Sequence, residues 1–281
     1  MSILTRPSGR SKRVLPGFGL SLGISVLYIS LIVALPASSL ALEFFQLSLD
    51  QLWFYLTDPR LLSSFRVTLI TSSISAILNC IIGLLLAWIL VRYEFPGRRL
   101  MDTLIDLPFA LPTAVAGLTL SALFATNGWV GRWLAMFDIK VSYTLTGIVL
   151  AMVFTSLPFV VRTLQPVLED ISSDVEEAAR TLGATDRQIF WRVILPQLRP
   201  ALTIGTALSF VRSLGEFGAV IFISGNMPFE TEVTSLMVFT YVGEYNYSVA
   251  AAVAMVILLS SLLLLLFIQF IQYRHLKPVR S

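Results

Sequence analysis

The sequence has little charge, a single cysteine and a single histidine. Only 13% of its 281 residues are Asp, Glu, Lys or Arg, roughly half the share found in soluble domains. A globule of this length cannot cover itself with water-compatible side chains from so few charges. The lone Cys80 excludes a disulfide framework, and the lone His275 leaves little scope for a zinc site or a Ser-His-Asp triad. A soluble enzyme, a disordered chain and a secreted disulfide-rich domain are therefore excluded.

The sequence also lacks the Gly-x-x-x-x-Gly-Lys-Ser/Thr pattern, in which backbone N–H groups cradle nucleotide phosphates. The chain therefore has no such means of binding ATP. If it takes part in an ATP-driven process, another subunit must hydrolyse the nucleotide. We predict no catalytic residue, no cofactor and no metal site in this chain.

What the sequence does contain is long apolar runs: 56% of the residues are apolar and the mean hydropathy is +0.81. A helix needs about 20 mostly apolar residues to cross a bilayer. We predict an all-α, polytopic membrane protein with a membrane domain over 15–273 and short tails at 1–14 and 274–281. Prolines in the third and fourth spans predict kinks there. The six predicted transmembrane helices cover 15–42, 65–91, 103–125, 143–161, 200–224 and 248–273.

Lysine and arginine predict the orientation of these spans. Fifteen of them lie in the two tails, after the second span and in the segment 162–199, whereas the opposite loops and span edges hold four. The positive-inside rule then places both termini and the segment 162–199 in the cytoplasm. The basic excess is explained by this orientation, so we predict membrane lipid as a partner and no nucleic acid.

The cytoplasmic segment 162–199 is predicted to form a helical elbow. Ser173 and Glu176 fit a capping box that starts a short helix, and Gly183 can end it in the left-handed conformation.

Thr185 and Gln188 fit a second capping box, which would start a short helix that ends near Pro196. Ala178 leaves room for another chain to approach, and Glu177 offers a carboxylate to a basic partner. From the residues alone, a docking surface and a merely solvated loop are equally good interpretations.

The fifth predicted span carries a narrow polar stripe. A charge at the bilayer centre costs about 2.5–3.5 kcal/mol on insertion scales unless it faces water or a partner. At about 100° per residue the polar residues of this span fall on one side of the helix, which favours a passage, and the forked donors of arginine suit tetrahedral oxyanions. The alternative is an internal i, i+4 ion pair between Arg212 and Glu216. The proposed translocation residues are Ser209, Arg212, Ser213 and Glu216.

The elbow sequence resembles the EAA motif of ABC importer permeases. The matching residues are Glu177, Ala178, Ala179 and Gly183, followed by Val193-Ile194-Leu195-Pro196, where the family usually has isoleucine in place of Val193. The resemblance implies a type I (MetI-like) permease fold. It also implies that the first four residues form a coupling helix seated in a groove of a cytoplasmic ATPase.

A wider set of motifs resembles the sulfate/molybdate permeases, and in combination the CysT-type sulfate permease subunits. The matching blocks lie at 92–98, 107–117, 137–140, 212–219 and 231–237. The resemblance implies a bacterial inner-membrane subunit that forms half of a passage for sulfate or thiosulfate. The implied partners are a CysW-type permease, a CysA-type ATPase dimer that binds ATP and Mg, and a periplasmic sulfate- or thiosulfate-binding protein.

Three other functions stay open on the sequence alone. Molybdate or tungstate is the nearest alternative cargo, because the block at 215–218 is shared with molybdate permeases. An ion-coupled secondary transporter is less favoured, since Glu216 and Asp106 are the only candidates for a buried acid relay. A scaffold without transport would not need the polar stripe. The sequence also leaves open whether the permease pairs with a second gene product or with its own copy.

Overall fold

The computed structural model describes residues 18–275, apart from the side chains of 267–269 and 271–275. Within that range the chain forms helices and their connections, with no strand. The helices, labelled in chain order, are α1 (Phe18–Phe45, with a π turn at Ser30–Ala34), α2 (Leu49–Leu56), α3 (Pro59–Arg92), α4 (Arg98–Ala110), α5 (Thr113–Phe124), α6 (Gly131–Ala135), α7 (Leu145–Asp170), α8 (Ser173–Thr181), α9 (Asp186–Ile189), α10 (Leu195–Leu214), α11 (Val220–Ile223), α12 (Thr234–Gly243) and α13 (Tyr247–His275).

Four of these helices, α1, α3, α7 and α13, are long and apolar enough to cross a membrane. The pair α4 and α5 gives a fifth if its two halves, bent by 113°, count as one span. The all-α membrane architecture is therefore confirmed, whereas the number of six spans is not. The difference lies in the fifth predicted span, 200–224, where the helix ends at Leu214 and a short α11 follows.

The predicted kink in the third span is present as a complete break between α4 and α5. Leu111 is extended (φ −85°, ψ 136°) and directly precedes Pro112. A proline ring disfavours helical geometry in the residue before it, so the helix stops there. Pro158, by contrast, lies inside an uninterrupted α7. The packed neighbours of α7 evidently hold it helical through the proline.

The elbow forms largely as predicted, with one shift in its first cap. The hydroxyl of Ser172, not Ser173, accepts the N–H of Asp174 (3.2 Å). Gly183 has a φ of +84°, the left-handed conformation that ends α8. The second capping box, between Thr185 and Gln188, has both of its hydrogen bonds.

The sequence predicted that the second helix of the elbow ends near Pro196, but the helix continues past this residue. A π turn at Phe190–Ile194 joins α9 to α10, so the elbow runs without a break into the membrane domain. Pro196 lies in the first turn of α10. The π turn leads directly into α10 and the helix continues through the proline, so Pro196 does not end a helix here.

The core of the molecule is the close packing of α3, α7 and α10. Glycines make this approach possible around Val160 of α7. A Cβ on Gly83 of α3 would lie 2.7 Å from Val160 Cγ1, and a Cβ on Gly205 of α10 would lie 3.0 Å from Val160 Cα. A substitution at either glycine therefore requires the helices to move apart. By contrast, none of the α1 side chains is buried within this chain.

Candidate functional site

The end of α10 and the break that follows it place Arg212 and Glu216 in the chain's interior, where they form the ion pair that the sequence offered as the alternative to a passage. Arg212 Nη1 lies 2.7 Å from Glu216 Oε2, while Glu216 Oε1 accepts the N–H of Ala219 at 3.0 Å. The Glu216 side chain is 1% exposed and the Arg212 side chain 34%. Arg212 and Glu216 are therefore paired, and part of the guanidinium still reaches an open surface.

Two helix breaks, one between α4 and α5 and one between α10 and α11, meet at this point. A Cβ on Gly117 of α5 would lie 2.5 Å from the Cα of Ala219, and one on Gly218 would collide with the hydroxyl of Thr113. The backbone that carries Glu216 is thus seated directly against the start of α5. The Ser235 hydroxyl donates to the Glu216 carbonyl (2.7 Å), which ties the same break to α12.

Ser209 and Ser213, the two other residues predicted for a passage, are fully buried in the described conformation. Ser209 Oγ lies 3.0 Å from Ser156 Oγ of α7 and accepts from Asn79 Nδ2 of α3 (3.0 Å). Ser213 Oγ lies 3.1 Å from Ser156 Oγ. These two serines hold α10 to α3 and α7, and they do not line an open surface in this structure.

Sequence reasoning missed the residues that complete this polar cluster. Asn79 is fully buried and also donates to Ser156 Oγ (2.8 Å). A signal was available, because an amide in the middle of an apolar span requires partners to satisfy it. The partner positions on other helices could not be read from the chain.

A second polar contact joins α4 to α7. Arg162 Nε donates to Asp106 Oδ1 (2.7 Å), and Arg162 Nη1 donates to Asp102 Oδ1 (2.6 Å). The sequence indicated Arg162 only as an orientation signal and Asp106 only as a possible acid relay. All three side chains are 30–46% exposed, so the network is partly solvated.

The elbow presents the EAA-like residues on its outer surface. Glu177, Ala178 and Gly183 are exposed, while Ala179 is half-buried against the cluster under α8. Leu182 is 88% exposed next to them. Leu182 directly follows α8, and the sequence did not indicate it as part of the site.

The fold and these sites together define a helical membrane permease with breaks in its helices and an exposed elbow. Residues 79–279 match the model of the family described as "Binding-protein-dependent transport system inner membrane component". This match covers more than half of the chain. The protein therefore belongs to that family, a family of multi-pass inner-membrane transport components rather than enzymes.

Curated relatives extend the likeness over nearly the whole chain. It is 59% identical over 264 residues to the sulfate transport system permease protein CysT of Escherichia coli K12, covering 94% of this chain and 95% of that protein. It is 45% identical to the protein of the same name from Synechocystis sp. PCC 6803, with 89% and 87% coverage.

Solved structures agree on the fold. A chain of a bacterial alginate ABC transporter, crystallised with its alginate-bound periplasmic protein, matches with a TM-score of 0.77 at 19% identity, covering 92% of this chain and 94% of that one. A chain of the MetNI methionine ABC transporter matches with a TM-score of 0.59 at 18% identity, covering 81% and 99%. The fold is therefore that of MetI-like ABC permeases.

Proposed function

We propose that this chain is the permease subunit of an ATP-driven importer and forms half of the passage for sulfate and thiosulfate. The observation that carries the proposal is the 59% identity to a sulfate permease over 94% of the chain. The motif blocks across 92–237 support the same cargo. The absence of a phosphate-binding loop from the sequence agrees with a separate ATPase subunit.

In the proposed orientation both termini and the elbow lie in the cytoplasm. The asymmetry of lysine and arginine supports it, with fifteen on the elbow side and four in the opposite loops and span edges. The far ends of the spans would then face the periplasm, where a soluble receptor can reach them.

The proposed partners follow from the cytoplasmic and periplasmic faces of the permease in this orientation. A CysA-type ATPase dimer, which binds ATP and Mg, would seat the exposed surface formed by Glu177, Ala178, Ala179 and Gly183. A periplasmic sulfate- or thiosulfate-binding protein would dock on the opposite face, and a CysW-type permease would complete the passage. The exposed Leu182 supports a partner on the elbow, because removing this apolar side chain from water would be favourable.

We propose that Arg212 is the group of this chain that meets the anion, with Glu216 holding it in place. The Arg212 side chain is 34% exposed, and its guanidinium has further donors for an oxyanion while Nη1 stays paired. Ser209 and Ser213 would act indirectly, by fixing the helix that carries Arg212. The Arg212–Glu216 pair leaves the site weakly charged, which suits release as well as entry.

The test is sulfate uptake by the complete complex in proteoliposomes, with ATP hydrolysis measured on the same sample. Arg212→Ala should retain ATP hydrolysis and lose sulfate flux by at least ~10-fold, equivalent to ~1.4 kcal/mol. Arg66→Ala, which removes an exposed arginine of α3 without an ion pair among the described residues, is the matched control. Unchanged flux in Arg212→Ala would remove it from the passage. A wild-type complex that carries molybdate but no sulfate would overturn the proposed cargo.

A further inference from the structure

The elbow is tied to the membrane domain by one shielded ion pair. Arg92 Nη2 lies 2.6 Å from Glu176 Oε1, and the two side chains are 21% and 15% exposed. Both of these atoms are inaccessible to solvent. Arg92 is the last residue of α3, and its guanidinium also lies 5.6 Å from the centre of the Trp88 ring. The pair therefore joins α8 directly to the end of the longest helix.

The opposite end of the same helix carries a matching pair. Arg60, in the first turn of α3, donates from Nε to Glu232 Oε2 (2.8 Å) and from Nη2 to Glu232 Oε1 (2.7 Å). Glu232 is 1% exposed and belongs to the segment between α11 and α12. Two parallel hydrogen bonds fix both the distance and the direction of this contact.

Between the two pairs α3 has the properties of a rigid element. Arg60 and Arg92 are 32 residues apart along the same helix, roughly 48 Å at 1.5 Å per residue. No proline interrupts the helix after Pro59. Its buried face packs on α7 and α10 along this length, and Asn79 bonds to both.

We propose that α3 is a strut clamped at both ends, which transmits displacement between the ATPase-docking elbow and the far-side segment 225–233. Arg92 and Glu176 are then positioning residues for coupling: they act through α3 and touch neither nucleotide nor anion. This inference rests on the proposed function, because it takes the elbow as the ATPase contact.

The pair at the elbow is shielded on both sides, and in the pair at the far end the carboxylate is 1% exposed and the arginine 35%. The shielded charges make these pairs suitable for the role. Separating charges that are out of contact with water leaves each without a partner, so the joined helices move together. The pair between Arg180 and Asp186, also on the elbow, gives the contrast. It is longer (3.3 Å), its side chains are 56% and 88% exposed, and water can replace either partner.

The experiment measures sulfate imported per ATP hydrolysed by the complete complex in proteoliposomes. Glu176→Gln keeps the size of the side chain and removes its charge, and should lower this ratio about 5-fold while ATP hydrolysis continues. Exchanging the charges, with Arg92→Glu and Glu176→Arg together, should restore the ratio to within about 2-fold. Arg99→Ala, an exposed arginine at the start of α4, should leave it unchanged. At the other end, Glu232→Gln should reduce the stimulation of ATP hydrolysis by the binding protein.

If Glu176→Gln imports as much sulfate per ATP hydrolysed as the wild type does, the strut proposal is wrong. If that variant does not assemble with the ATPase, the test is the ratio measured for the complex that carries both exchanged charges. A wild-type ratio there supports the proposal, and a 5-fold loss contradicts it. A wild-type complex that hydrolyses ATP but imports no sulfate contradicts the proposed cargo instead, and the same ratio is then measured with molybdate.

Discussion

The three-helix core and the elbow are stabilised in opposite ways. In the core, α3, α7 and α10 approach until Gly83 and Gly205 touch Val160, and buried serines bond to Asn79. In the elbow, none of the α8 residues is buried, and Leu182 points outward. The core is held by close packing and buried hydrogen bonds within the chain, whereas the elbow leaves an apolar side chain exposed.

The comparison separates two kinds of sensitivity. A change in the core should alter the stability of this chain, because tight packing leaves no room to adjust. A change on the elbow should leave this chain stable and alter what binds to it. Two substitutions in the interior, where the helix breaks meet beside the core, and one on the elbow test that division, in decreasing order of expected destabilisation.

Gly117→Ala should be the most damaging. The new Cβ would meet the backbone of Ala219, with its Cα 2.5 Å away, and backbone cannot move aside as a side chain can. We expect a loss of about 3 kcal/mol, seen as a fall of roughly 6–12 °C in the Tm of the detergent-purified chain. The control is Gly215→Ala, where a Cβ meets nothing within 4 Å. Equal Tm values for the two variants would contradict the tight contact between the two breaks.

Glu216→Gln should have an intermediate effect. The amide oxygen can still accept from Ala219, but Arg212 loses its counter-charge. A fully buried pair costs about 3–5 kcal/mol to break. Arg212 is 34% exposed and recovers part of its hydration, so we expect about 2 kcal/mol. Chemical unfolding of the purified chain measures this, with the exposed Glu230→Gln as the control. A loss below that of the control would show that the pair is dispensable.

Leu182→Asp should change stability least, by less than about 0.5 kcal/mol, because the side chain is 88% exposed. Its effect should appear in assembly instead. Burying a leucine contributes about 1.5–3 kcal/mol, so retention of the ATPase on the immobilised permease should weaken about 10- to 100-fold. Leu182→Met keeps the apolar surface and should retain binding. If Leu182→Asp instead unfolds the chain, the elbow is part of the core after all.

Features set by local chemistry could be predicted from the sequence. The apolar runs predicted a membrane protein, the prolines of the third span predicted a kink there, and Gly183 predicted the corner of the elbow. Each follows from a property of a residue and its neighbours along the chain. The presence of Arg212 and Glu216 at one site was also predictable, because of their i, i+4 spacing.

What could not be predicted depends on contacts between distant segments. The direction in which Ser209 and Ser213 face is decided by Asn79 and Ser156 on other helices. The π turn that carries the elbow past Pro196 leaves no separate local signature. α10 ends at Leu214, before Gly215, and the break that follows lies against α5. Helical periodicity does not reveal that contact.

Glu216 makes two separate contacts through its two carboxylate oxygens, which limits the residues that can replace it. One oxygen neutralises Arg212 and the other caps the N–H of Ala219. Aspartate is a methylene shorter, glutamine lacks the charge, and an apolar residue provides neither contact. Each single replacement therefore loses or weakens at least one of the two contacts, so the identity of residue 216 is constrained by Arg212 and Ala219 together.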